Sequence, residues 1–416
     1  MAASDGGGAR GKAGRAAGEK SGLIRPRQWL ALAGLAVAAF VFNTSEFVPI
    51  GLLTDIGASF SLAEEGAAVM ISVYAWGVML MSLPLMVLAS RVGFRRLMLG
   101  LLALFATGQF LCAVAPTFWL LVAARLVVAA AHSVFWAVVM VVAARVVDPR
   151  ASSAAIGLVA TGSSVAQIVG MPLGRAIGLA LGWRMTFAAM GVASVATLAY
   201  LAVVFPSMGP GKRFRLWQLP GLFRNRSLVT LYVVVVFLAA GQFAAYSYVE
   251  PFLLRVAGLP ARGVTLALSA FGCAGLLGSV LFSRLYDGNR RVFLAASLLG
   301  ESVALLLLLP AAASPASMVA ALVGWGACQM GYGIAFQAVL IGFVRPEEAT
   351  VAMATYSGLY NLGIGGGTAL GGVAAARLGV ASVGVVGGVL VVAGTAVALA
   401  LLLPRMRGSR AEAGPR

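Results

Sequence analysis

Apolar residues run in lipid-length stretches along almost the whole chain, separated by short polar links. A helix crosses the hydrocarbon core of a bilayer with about 20 residues. Read at that length, the runs fall at 29–53, 66–90, 96–116, 119–145, 153–180, 184–206, 227–254, 261–285, 290–310, 316–344, 349–375 and 379–404. They predict twelve membrane-crossing helices. Several links, such as Ala115-Pro116-Thr117, hold only a turn. The first run contains a polar interruption, Asn43-Thr44-Ser45-Glu46-Phe47-Val48-Pro49. A carboxylate inside such a helix is costly, so it marks a site facing a cavity or a partner. Pro49 removes a helix hydrogen bond beside it. The seventh run carries Tyr246-Ser247-Tyr248-Val249-Glu250-Pro251. Two acidic, proline-adjacent interruptions in corresponding helices are what a duplicated carrier needs around a central pathway. The alternative reading puts both glutamates at helix ends, in the headgroup zone.

The longest internal link, Ser207 to Arg226, holds five basic residues and no acid. It divides the chain into a basic tail (1–28), a first six-helix bundle (29–206), a linker (207–226), a second bundle (227–404) and a short tail (405–416). The halves echo one another. Ser90-Arg91 followed by Arg95-Arg96 mirrors Ser283-Arg284 followed by Arg290-Arg291, and Leu173-Gly174 and Leu181-Gly182 mirror Leu370-Gly371 and Leu378-Gly379. The expected fold class is an all-α membrane protein of two six-helix bundles.

Composition supports this reading: of 416 residues, 61% are hydrophobic and 10% charged, against roughly a quarter charged in a soluble domain. The net charge of +17 is of a size that nucleic-acid binding also produces. Its distribution argues otherwise, because 24 of the 30 Lys and Arg lie in alternate links and the tails. That is the positive-inside pattern, which places both termini in the cytoplasm. Cys112, Cys273 and Cys328 lie in apolar runs and read as small buried hydrophobes. One histidine and scattered carboxylates give no metal-ligand spacing, and no phosphate-binding glycine loop is present. No nucleophile–base constellation supports an enzyme. Neither metal nor cofactor is expected.

The basic turn Ser90-Arg91-Val92-Gly93-Phe94-Arg95-Arg96, with the twelve spans and the basic central link, resembles the major facilitator superfamily. That family usually has an aspartate where Ser90 stands; Arg91 and Gly93 match. Gating and topology anchoring both remain open for these arginines. Gly170-Met171-Pro172-Leu173-Gly174-Arg175 followed by Gly182-Trp183-Arg184-Met185-Thr186-Phe187 resembles the glycine-proline signature of the superfamily's efflux antiporters. Small residues there let helices approach closely, and Pro172 bends the span. From Phe42 onward, strings such as "FNTSEFVPIGLL", "AHSVFW", "AYSYVEPF" and "SGLYNLGIGGG" are similar to bacterial sugar-efflux transporters of the drug:proton antiporter branch. The resemblance implies a carrier in the bacterial inner membrane, exporting sugars or sugar-like compounds in exchange for protons; a monomer is expected.

The residues allow a reading of their own. Arg125 and His132 are seven apart and share one helix face. Counting depth at about 1.5 Å per residue brings Glu46 and Arg125 to compatible levels, so a Glu46–Arg125 pair is possible. Glu46 is the principal proton-coupling candidate, with His132 and Glu250 as alternatives. A sugar needs hydrogen-bonding groups and an aromatic face. Asn43, Trp136, Tyr246, Gln329, Gln337, Tyr360 and Asn361 are the candidates for it. Pro49, Arg91, Gly93, Gly170, Pro172, Gly174, Arg175 and Pro251 are candidates for gating or helix bending. Two rival functions remain: efflux of drugs or nucleosides by the same fold, and a transport-inactive sensor or scaffold.

Overall fold

The computed structural model describes residues 24–209, 219–345 and 348–406. Most of the expected N-terminal tail, the middle of the central linker and nearly all of the C-terminal tail lie outside these residues. No strand occurs among the described residues. Among the described residues, ten helices are long and apolar enough to cross a membrane: α1 (Pro26–Gly51), α2 (Glu64–Ala89), α3 (Phe94–Val114), α4 (Phe118–Val146), α5 (Ala154–Leu181), α6 (Trp183–Val204), α7 (Arg226–Arg255), α8 (Ala261–Leu285), α10 (Pro315–Phe343) and α12 (Val380–Arg405). Two more complete the set, α9 (Arg290–Leu306) and α11 (Ala349–Leu378). All twelve fall on the apolar runs, with ends displaced by only a few residues.

The halves share one packing scheme. Helix α1 packs on α5 and α6, α4 on α2 and α3, and α3 on α6. Six helices later, α7 packs on α11 and α12, α10 on α8 and α9, and α9 on α12. The bundles meet along α2 against α11 and α5 against α8, contacts that a two-fold axis exchanges. Details repeat too. Thr117 and Ser314 cap α4 and α10, each accepting from a backbone N–H three residues on. Gln28 donates to the Val146 carbonyl, and Asn225 donates to that of Phe343. Gly182 and Gly379, at φ 89° and 83°, end α5 and α11 in a conformation that only glycine adopts without strain.

Close approach of α5 to α1 depends on small residues. A side chain at Gly170, Gly174 or Gly178 would run into Thr44, Val48 or Leu52. In the second bundle, Gly367 and Gly371 play this part against the Ala240 and Ala244 backbone. This packing fixes the register between halves: Val48 stands where Ala244 stands, so Glu46 corresponds to Gln242 and Glu250 to Thr54. The expectation that the two Glu/Pro patches are equivalent is therefore corrected. Glu250 lies about two turns nearer one end than the counterpart of Glu46.

Several helices are interrupted near that same end. Helix α1 breaks at Leu52 (φ −128°, ψ 21°) before a short top, Leu53–Ser59. At the corresponding place, Tyr248 (φ −113°, ψ 12°) separates most of α7 from Val249–Arg255. Helix α2 is broken at Ala68. Deeper, beside Thr44, helix α5 contains a π-turn at Ala166–Gly170, just before Pro172, whose missing N–H leaves the Ile168 carbonyl without its helical donor.

Many exposed residues are large and apolar, among them Leu80, Val203, Leu266 and Leu378, as a lipid-facing surface requires. Cys112 is buried, Cys328 half-buried and Cys273 exposed. The expected burial of Cys273 fails because a lipid-facing position accepts the same apolar residues as a core.

Candidate functional site

Pro49 lies inside α1 and cannot donate to the carbonyl of Ser45, four residues back. Arg125 of α4 takes up that carbonyl, donating from Nη1 at 3.1 Å. Its guanidinium also lies over the Tyr74 ring, 4.0 Å from the centroid. Gln109 of α3 donates through Nε2 to the Ser45 hydroxyl. Proline, serine, glutamine and arginine thus form one buried assembly, and Arg125 is 1% exposed.

Glu46, next in sequence, turns toward His132, with Oε2 3.6 Å from Nε2. Its side chain keeps 18% exposure, whereas that of His132 keeps 5%. The Glu46–Arg125 pair considered from depth is replaced here by Glu46–His132, because the carbonyl released by Pro49 and the Tyr74 face hold the guanidinium. Phe42, Tyr74 and Trp136 surround the imidazole with ring centroids 5.7–6.3 Å away. His132 Nδ1, Arg125 Nε, the Tyr74 hydroxyl and Gln109 Oε1 are buried without a protein partner.

The second bundle faces this cluster with aromatic groups. Phe47 meets the Tyr246 edge at 6.3 Å, and Tyr246 stacks on Phe271 and abuts Trp325. Tyr360 stacks on Tyr356 and sits beside Gln329. Tyr246 and Tyr360 are both within electrostatic range of Glu46. Trp136, Gln329 and Tyr360 are half-buried and Gln337 is exposed. The two asparagines are already engaged. Asn43 donates to the Ser163 carbonyl at 3.0 Å and to its hydroxyl at 2.8 Å, fastening α1 to α5. Asn361 donates back to the Ser357 carbonyl of its own helix, leaving Oδ1 unpartnered.

Glu250 forms a different kind of site. Arg175 Nη1 lies 2.8 Å from its Oε1, and both side chains are 1% exposed. Arg175 also donates to the Gly51 carbonyl. Thr54 donates to Glu250 Oε2 from its hydroxyl at 2.7 Å and from its amide at 3.3 Å. Arg175, Gly51 and Thr54 belong to the first bundle and Glu250 to the second, so this buried network joins them. Arg255 and Glu64 add a more exposed cross-bundle pair at the same end. Pro251 falls in the first turn of its short helix, where a missing N–H costs little. At the opposite, basic end, Arg91 is exposed, and Gly93 caps α3 close to the Met208 carbonyl.

Sequence reading passed over Glu301. It is fully buried in α9, where Oε1 accepts from Trp325 Nε1 (3.2 Å) and the Tyr332 hydroxyl (3.3 Å). Tyr332 is also 3.0 Å from Gln242 Oε1. The rule that singles out Glu46, a carboxylate inside an apolar run, applies equally to Glu301. Tyr74, Gln109 and Gln242 carried no such signal, since an amide or phenol in a membrane helix is ordinary.

Twelve helices in two matching bundles, with charged groups buried between and within them, agree with comparisons to known proteins. A family model described as Major Facilitator Superfamily matches residues 35–287 and 231–416. The chain belongs to the Major Facilitator Superfamily. Among solved structures, a bacterial homolog of the human lysosomal transporter Spinster, inward-facing and unoccupied, is similar in fold. It has a TM-score of 0.73 and 16% identity, over 92% of this chain and 98% of that one. The occupied, inward-facing form of that homolog gives a TM-score of 0.70 at 16% identity, over 92% and 97%. This superfamily protein is thus a multi-pass membrane protein with the fold of a small-molecule transporter.

Proposed function

We propose that this superfamily member exports sugars or sugar-like small molecules from a bacterial cytoplasm in exchange for protons, by alternating access. The observation that carries the reading is the Glu46–His132 pair. It is a titratable pair within the first bundle, its glutamate partly exposed and its histidine buried, backed by an arginine already committed to Ser45 and Tyr74. A carboxylate's protonation follows its surroundings, because dry burial favours the neutral form and a nearby cation the charged one. Rocking of the bundles changes both conditions at Glu46, which couples its proton to access. Trp136, Tyr246 and Tyr360 offer aromatic faces to sugar C–H groups, and Gln329 offers an amide.

The Arg175–Glu250–Thr54 network holds the end opposite the basic loops closed. The inward-facing shape of the similar solved structures supports assigning the same state here, with both termini in the cytoplasm. The protein works as a monomer in the inner membrane and needs no cofactor beyond the proton gradient.

Efflux of an amphipathic drug is the second reading. The engagement of Asn43 with Ser163 and of Asn361 with its own helix favours it, since both remove amide donors from a prospective sugar. The test is purified protein in liposomes under an imposed pH gradient, offered labelled pentoses, thiogalactosides and phenicol-type drugs. Gradient-driven accumulation of the sugars is expected. Accumulation of the drugs alone would select the second reading, and absence of any gradient-driven flux would leave a sensor or scaffold.

A further inference from the structure

Glu301 is a fully buried carboxylate whose two close polar neighbours, Trp325 and Tyr332, are neutral donors. Its other oxygen, Oε2, is buried without a protein partner. A charged carboxylate in such surroundings is expensive, because neutral donors compensate only part of the lost hydration. A neutral acid costs less there, its one unmet need being an acceptor for the proton on Oε2. The titratable or polar groups near it are few. Helix α10 presents Trp325, Cys328 and Tyr332; α11 presents Tyr360; α7 presents Gln242. On the α12 side, Thr395 meets the neighbouring Ser302 rather than Glu301.

Tyr332 gives this site two states. Its hydroxyl has one proton and two acceptors within reach, Gln242 Oε1 at 3.0 Å and Glu301 Oε1 at 3.3 Å. It serves Glu301 when the carboxylate is charged and is free to serve Gln242 when the acid is neutral. Gln242 lies on α7, the helix that carries Glu250 eight residues further on. It also stands at the register position of Glu46. A proton arriving at Glu301 therefore changes a bond between α10 and α7, within the same helix that holds the closed end.

We infer that Glu301 is a second proton-carrying site, taking up a proton at Oε2 and releasing it in each cycle, so that the protein moves two protons per substrate. The step is a simple protonation: Oε2 gains the proton, Oε1 keeps the Trp325 bond, and Tyr332 transfers its donation to Gln242. The inference rests on the proton-coupled reading above, with Glu46 carrying the other proton.

The test compares wild type with Glu301→Gln, which resembles the neutral acid in shape, in liposomes with the membrane potential clamped at zero. Under a one-unit pH gradient, a two-proton carrier drives a neutral substrate to about a 100-fold ratio and a one-proton carrier to about tenfold. Wild type is expected near the first value and E301Q near the second, with substrate–substrate exchange retained. Equal ratios in the two proteins would overturn the inference while leaving proton coupling intact. No accumulation by wild type would overturn the coupled reading itself. A second measurement needs no transport: the infrared carboxylic-acid band that grows as pH falls should lose a component in E301Q and shift its midpoint in Tyr332→Phe. A band unchanged in both variants would also overturn it.

Discussion

The first bundle buries a cation and the second a carboxylic acid among neutral donors, on scaffolds that otherwise repeat. Arg125 lies behind Glu46, and its position in α10 is taken by Leu322. Glu301 lies behind Gln242, and no charged residue of α3 takes its place, Gln109 being the polar group there. The repeated parts are those that set backbone geometry: capped helix starts, terminal glycines, small-residue contacts and breaks at Leu52 and Tyr248. The halves share close packing, which tolerates little change. The polar cores diverged, because each needs only that its own members satisfy one another. One half now holds a partly exposed acid beside a fixed positive charge, and the other holds a wholly enclosed acid among neutral donors.

The comparison breaks most readily where the bundles touch. Removing one partner of a buried ion pair costs about 3–5 kcal/mol. Arg175→Met should therefore weaken the closed end by more than a hundredfold in its conformational equilibrium. Distance measurements between spin labels at the tops of α1 and α7 will show it. Arg175→Met combined with Glu250→Leu should recover part of the loss, since no uncompensated charge remains.

Glu46→Gln tests the contrast within the first bundle. It should abolish proton-driven uptake while sparing substrate exchange, as read in everted vesicles. Normal coupling in this variant would move the role elsewhere. Pro49→Ala returns an N–H to the Ser45 carbonyl and so competes with Arg125. An expected cost of about 0.5–1.5 kcal/mol to that hydrogen bond should appear as an altered pH profile of transport with little change in melting temperature.

Packing offers a finer comparison. A methyl at Gly371 meets the Ala244 backbone, whereas one at Gly174 meets the Val48 side chain. Overpacking costs about 1–3 kcal/mol, so Gly371→Ala should lower thermal stability in detergent more than Gly174→Ala does. The smallest effect belongs to Arg290→Ala. Its pairing with Asp287 is exposed, and such surface pairs contribute about 0–1 kcal/mol.

Twelve helices were legible because lipid imposes one length and one polarity on every crossing. The deep position of Glu46 was legible for the same reason. What the sequence could not carry was register. Glu46 and Glu250 share a local pattern, yet glycine contacts between α1 and α5 and between α7 and α11 place them two turns apart in the duplicated frame. Pairing was equally hidden. Depth allowed Glu46 to reach Arg125, but the carbonyl left bare by Pro49 captured the guanidinium, and only three-dimensional packing decides such a competition. Asn43 stood out as a costly buried amide, and the structure answers that cost with Ser163.

The breaks in α1, α2 and α7 have a mechanical consequence. Thr54, Glu64, Glu250 and Arg255 all sit beyond one of them, while Glu46 sits before the break in its own helix, and Arg125 and Glu301 belong to α4 and α9. The rim of the molecule is consequently hinged separately from its charged interior. Small rotations at three joints can unfasten the rim without disturbing the ion-bearing helices below, and substitutions in the caps should retune how often the molecule opens to that side without changing what it holds.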